Sequence, residues 1–95
     1  MTMLEIKPDE PLFVISVAAK LSGLHIQTLR LYEKRGVVVP KRTHKNTRLY
    51  SFNDIKKLKI IKVLVKDRGL RVEQVVRILE AEKDLNKLMK KYGIR

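Results

Sequence analysis

Between His25 and Arg48 the chain carries side chains suited to reading a polyanion rather than to making or breaking bonds. His25 can donate to or accept from a base edge, and Gln27 can pair bidentately with adenine. Thr28, Arg30, Tyr32 and Lys34 follow them within ten positions, a density of polar and cationic tips that fits one helix face. Further on, Lys41, Arg42, Lys45 and Arg48 put four cations and no acid between positions 41 and 50, more than a solvated loop requires for solubility. No nucleophile stands beside a base, no carboxylate pair has an enzyme-like setting, and no glycine loop could cradle a phosphate. An enzyme is therefore not expected.

The charge balance agrees with this reading. Net charge is +12, from 22 Lys and Arg against 10 Asp and Glu. Such an excess in one small domain points to nucleic acid, and less often to an anionic membrane surface. Its placement is uneven: residues 20–48 hold eight basic side chains and one acid (Glu33), a net +7, whereas residues 1–19 hold one lysine and three acids. There are no cysteines, and His25 and His44 are the only histidines, which excludes disulfides, thiolate metal or redox centres and a conventional structural zinc site. Neither metal nor cofactor is expected. No apolar run approaches the length of a membrane span and the N-terminus lacks a signal-peptide pattern, so no membrane partner is expected and the cytoplasm, near the nucleoid, is the expected location.

These side chains need elements to position them. Ser16 is a candidate N-cap for a short helix with Val17, Ala18 and Leu21 apolar, and Gly23 breaks that helix as a tight turn requires. Ala19 is small enough for a second helix to cross close above the first. The second helix has Leu24, Thr28, Leu31 and Arg35 one turn apart and stops at Gly36. This predicts a helix-turn-helix whose second helix exposes His25, Gln27, Thr28, Arg30, Tyr32 and Lys34, with Ser16 and Val17 at the start of the first helix in the same DNA-binding set. Periodicity alone would also fit two packed helices of any small all-α domain. Val37–Val39 and Pro40 then start a strand, Thr43–Thr47 is a polar turn, and Arg48, Leu49 and Tyr50 return, with Leu49 expected to point inward: a β-hairpin wing.

The segment T-L-R-L-Y-E-K-R-G-V-V-V-P-K-R, from Thr28 to Arg42, resembles the signature of the MerR family of transcription regulators. That family carries T-L-R-aromatic-Y-E, then G-hydrophobic-x-P-x-R leading into a wing. Within it, V-I-S-V-A-A-K-L-S-G-L-H-I-Q-T-L-R-L-Y is most similar to the heat-shock repressor (HspR) branch. The resemblance spans residues 12 to about 80, with Leu31 where the wider family has an aromatic. It implies that Arg30 and Tyr32 grip phosphates, and it places Arg42, Arg48 and Tyr50 on the wing's P-x-R and R-x-Y elements. It further implies a dimer on an inverted repeat, repression of chaperone genes, and a DnaK-type chaperone as co-repressor.

Around that segment, residues 1–11 read as a loose arm, 12–80 as the winged domain and 81–95 as a short C-terminal helix. Ser51 and Asp54 form a candidate capping box before an apolar stripe of Ile55, Leu58, Ile61 and Val65, widened by Ile60 and Leu64 and ended by Gly69. Val72, Val75, Val76 and Leu79 start another helix. Ile78, Ala81, Leu85, Leu88 and Tyr92 follow at 3-4-3-4 spacing, a two-heptad seam that fits either a dimer helix or a helix folded back on its own core. The expected fold is mainly α, with a small β-hairpin wing and a short C-terminal helical extension. The expected function is sequence-specific regulation of transcription on duplex DNA. A promoter-underwinding activator, an excisionase-like architectural factor and a small RNA-binding protein are the alternatives.

Overall fold

The protein, seen as a computed structural model, is described over residues 5–95. Its elements are α1 (Ile15–Ser22), α2 (Ile26–Lys34), β1 (Lys41–Arg42), β2 (Arg48–Leu49), α3 (Phe52–Lys62), a π-helical turn (Val63–Asp67), α4 (Val72–Ala81) and α5 (Leu85–Lys91). This is the mainly helical winged helix-turn-helix that the sequence predicts. The first four residues of the expected arm lie outside the described residues.

The core is organised on α3. Ser51 Oγ accepts from the Asp54 N–H at 3.1 Å, and Asp54 Oδ2 accepts from the Ser51 N–H at 2.9 Å, so the capping box forms in both directions. The helix it starts buries Ile55, Leu58, Ile60 and Ile61, with Leu64 from the following turn, and packs against α1, α4 and α5. Near Val63 the helix widens: the Arg68 N–H reaches the Val63 carbonyl at 3.1 Å, a π-type bond the apolar pattern gave no sign of.

The start of α1 differs from expectation. Ser16 is not its N-cap; the helix begins at Ile15 on Val14, whose side chain cannot cap, and Ser16 sits exposed inside the first turn. The cause is upstream. Phe13 and Tyr50 pair through their backbones, at 2.9 and 2.7 Å, so the chain is anchored before the helix begins. The Val14 carbonyl then takes the first helical bonds, from Val17 at 3.1 Å and Ala18 at 2.9 Å. The same pairing tethers part of the arm, and the Asn53 N–H holds the Pro8 carbonyl at 2.9 Å.

Gly23 turns α1 into α2. Its φ of +73° is left-handed, which favours glycine; the one atom a Cβ would crowd, Lys62 Nζ at 2.5 Å, is the tip of a flexible side chain that can swing away. Ala19 is buried, as expected of the small residue where the two helices cross, and Ala18 beside it is buried too.

The tail also departs from one of its two readings. The seam Ile78, Ala81, Leu85, Leu88, Tyr92 is not one continuous stripe, because α4 ends at Ala81. Asp84 caps a separate helix, accepting from the Lys87 N–H at 3.2 Å, while Glu82 Oε1 accepts from the Asp84 N–H at 3.0 Å. That break swings α5 back onto α3, where Leu85 and Leu88 are buried in the protomer's own core. Ile78 and Tyr92 are half-buried against the same core, and the Arg68 guanidinium lies over the Tyr92 ring, 5.3 Å from its centroid. Ala81 alone of the five is exposed.

Candidate nucleic-acid interface

The phase of α2 decides what it can offer. Leu24, Leu29 and Tyr32 turn inward, so Gln27, Arg30, Leu31 and Lys34 form the outer face. Thr28 is half-buried on the flank, and His25, at the N-cap position, is exposed without a capping bond. Ser16, Lys20, His25 and Gln27 share one shallow concavity between α1 and α2, and Val17 lies exposed beside it. Two positions correct the expected pattern. Tyr32 is not on the outer face but 6% exposed in the core, and Leu31 takes the outward position. With 3.6 residues per turn, a helix that buries Leu29 buries the residue three later as well. Burial pushes the Tyr32 hydroxyl pKa up, against the opposing charge of Arg35.

The wing is a two-stranded antiparallel ribbon with Lys41 opposite Leu49 and Arg42 opposite Arg48. Its tip is internally ordered. Thr43 Oγ1 accepts from the Lys45 and Thr47 N–H groups, each at 3.2 Å, and Asn46 adopts φ +65°. Lys41 and Lys45 project into solvent with no ion-pair partner among the described residues.

Tyr50, expected as a wing contact, has no exposed surface. Its backbone pairing to Phe13 turns the ring into the core, and it takes the inward place expected of Leu49, which is half-buried. Its hydroxyl has no hydrogen-bond partner, and burial, with the Glu33 carboxylate adding to it, raises its pKa to about 12.

Arg42 and Arg48 are not free cations. Arg42 Nη2 reaches Glu33 Oε2 at 3.0 Å and Oε1 at 3.2 Å, and Arg48 Nε donates to Oε1 of the same carboxylate. Arg42 Nη1 also donates to the Asn46 carbonyl at 3.1 Å and to Asn46 Oδ1 at 3.3 Å. Burial pushes the Glu33 carboxyl up, but the hydrogen bonds and charges of Arg48 and Arg42 outweigh it and hold it below the usual carboxylate range. Sequence reasoning counted Glu33 without giving it a role. Its signal was its isolation as the one acid among eight cations in residues 20–48.

Arg30 and Lys34 on α2 and Lys41 and Lys45 on the wing are therefore exposed cations, and Gln27 and His25 are exposed on and at the start of the same helix. A second helix with a polar outer face, crossed on a first and flanked by a basic hairpin, defines the winged helix-turn-helix class of protein. Within that class the chain belongs to the MerR HTH family of regulatory proteins, which matches residues 13–82.

Individual relatives agree. The chain is 45% identical over 84 residues to a putative heat shock protein HspR of Streptomyces coelicolor, covering 88% of this chain and 56% of that one. It is 40% identical over 77 residues to the HTH-type transcriptional regulator GlnR of Bacillus anthracis, covering 81% and 59%. It is 32% identical over 79 residues to the HTH-type transcriptional regulator TnrA of Bacillus subtilis, covering 83% and 66%. The chain thus spans little more than half the length of the first two. A MerR-family transcriptional regulator from Bacillus cereus shares the fold, with a TM-score of 0.68 at 23% identity over 85% of this chain and 61% of that one.

Proposed function

We propose that this chain binds duplex DNA as the reading module of a transcriptional repressor of heat-shock or chaperone genes. What supports the reading is that Gln27, Arg30 and Lys34 are exposed on one face of α2 and Lys41 and Lys45 on the wing, which Glu33 ties to that helix through Arg42 and Arg48. Gln27, near the N-terminus of α2, reads base edges, while Arg30, Lys34 and the wing lysines hold phosphates and set register. Ser16 and His25, which share a shallow concavity with Gln27, complete the contact surface together with Val17 and Thr28. Likeness to HspR favours heat-shock genes over the targets of GlnR and TnrA, given 45% identity against 40% and 32%.

An inverted repeat read by two copies is part of this proposal, because a two-fold site needs a two-fold protein. Leu85 and Leu88 are already buried within one protomer, so pairing uses another surface. A DnaK-type chaperone as co-repressor belongs to the same reading, as does action in the cytoplasm. No helix among the described residues is long and apolar enough to cross a membrane.

Footprinting on genomic DNA tests the proposal. Protection of a palindrome over a chaperone promoter is expected. Protection of a recombination attachment site would favour an architectural factor, and an absence of protected sites would contradict the reading.

A further inference from the structure

The interface contains one acid, and it lies between the two parts that meet DNA. Glu33 stands in the last turn of α2 with its side chain 14% exposed, and it receives hydrogen bonds from a guanidinium on each wing strand. Arg42, one of the two, also holds the carbonyl and side chain of Asn46, the left-handed residue of the hairpin turn. A single carboxylate thus links the recognition helix to β1, to β2 and, through Arg42, to the wing tip.

A solvated hairpin with two-residue strands has little of its own to fix its angle to a neighbouring helix. Charge-assisted bonds from two guanidinium groups to one half-buried carboxylate supply that constraint. They also occupy two guanidinium groups that would otherwise be free for any phosphate, and phosphate contacts carry no sequence information.

We propose that Glu33 is a positioning and specificity-determining residue: by holding Arg42 and Arg48 it sets the wing against α2 and withholds two cations from indiscriminate DNA binding. Glu33 lowers affinity for random duplex and raises the ratio of specific to random binding. This rests on α2 and the wing being the DNA face.

The experiment uses the full chain and two probes: a duplex selected from a random library by the unmodified protein, and a scrambled duplex of equal length. Fluorescence anisotropy over a salt series gives affinity and salt slope for both, with circular dichroism checking the fold. Glu33→Gln is expected to bind the scrambled duplex several-fold more tightly at low salt. Its slope should become more negative by up to about 2, since each new phosphate contact adds about 0.9. The specific-to-random ratio should fall about tenfold. Glu33→Asp keeps the charge and should keep the original slope while recovering part of the ratio.

A Glu33→Gln protein with unchanged slope and unchanged ratio would overturn the proposal. If that variant fails to fold, Arg42→Lys carries the test, because a lysine keeps the charge but cannot hold Glu33 and the turn together. An unchanged ratio there would equally overturn it. Gln27→Ala and Lys41→Ala/Lys45→Ala separate the two levels of the argument. If these act and the Glu33 and Arg42 variants do not, only the clamp is wrong; if none acts on either duplex, the DNA face itself is misplaced and the clamp's role falls with it.

Discussion

Helix α2 and the C-terminal tail both show helical spacing in sequence, yet they spend it in opposite ways. In α2 the nine residues from Ile26 to Lys34 form one unbroken helix that turns Leu29 and Tyr32 inward and leaves Gln27, Arg30 and Lys34 exposed, with Glu33 alone tied to the wing. In the tail a spacing of similar quality is cut at Glu82–Asp84, and both leucines of the proposed seam go into the protomer's own core. Spacing alone does not say which surface a stripe will meet. The residues that start and stop the helix do.

The largest effect expected from this contrast is in the tail. Leu88→Ala should cost about 2–5 kcal/mol of stability, as for other buried leucines. The pair Leu85→Asp with Leu88→Asp, which puts two charges into the core, should leave the chain unfolded in urea titrations followed by circular dichroism. A folded double variant that had lost only its self-association by sedimentation would restore the tail as a dimer helix.

On the other side of the comparison, Gln27→Ala should leave stability unchanged and cost about 1–3 kcal/mol of binding to a selected duplex, with little effect on a scrambled one. Equal losses on both would make Gln27 a phosphate contact rather than a reader of bases.

Asp84→Ala addresses the break itself. Loss of this N-cap should cost about 0.5–2 kcal/mol, seen as a lowered urea midpoint with DNA binding preserved.

The smallest effects concern the clamp and the buried tyrosine. The Glu33 carboxyl is held below its unfolded value, so its contribution to stability is present above the ordinary glutamate range and is lost as pH falls through its folded value. Glu33→Gln should therefore flatten the acid side of the pH–stability curve slightly. Tyr50→Phe should change stability by less than about 1 kcal/mol, because the hydroxyl it removes has no partner to lose.

Much of the fold was legible. Gly23, Gly36 and Gly69, each with a left-handed φ, marked the helix ends, and Ser51 with Asp54 marked the start of α3. The apolar stripe of α3 is buried as its period requires, with Val65 half-buried at its far end. What escaped was set by contacts distant in sequence. Ser16 lost its capping role because Phe13 had already paired with Tyr50, 37 positions away. Tyr50 moved from the surface to the core for the same reason. Arg42 and Arg48 read as free wing cations because their partner lies 9 and 15 positions upstream. The tail break had a local signal: Asp84 is a good N-cap residue, and the heptad count passed over it.

The account's central claim is that α2 and the wing together form a cationic face for duplex DNA. Its most direct test is the salt dependence of duplex binding, for the unmodified chain and for Lys41→Ala with Lys45→Ala. With Arg30, Lys34, Lys41 and Lys45 meeting phosphates, the log–log slope should be steeper than about −3, and the double variant should lose about 2 from its magnitude on selected and scrambled duplexes alike. A slope shallower than about −3, or one that the wing lysines leave unchanged, would contradict the claim.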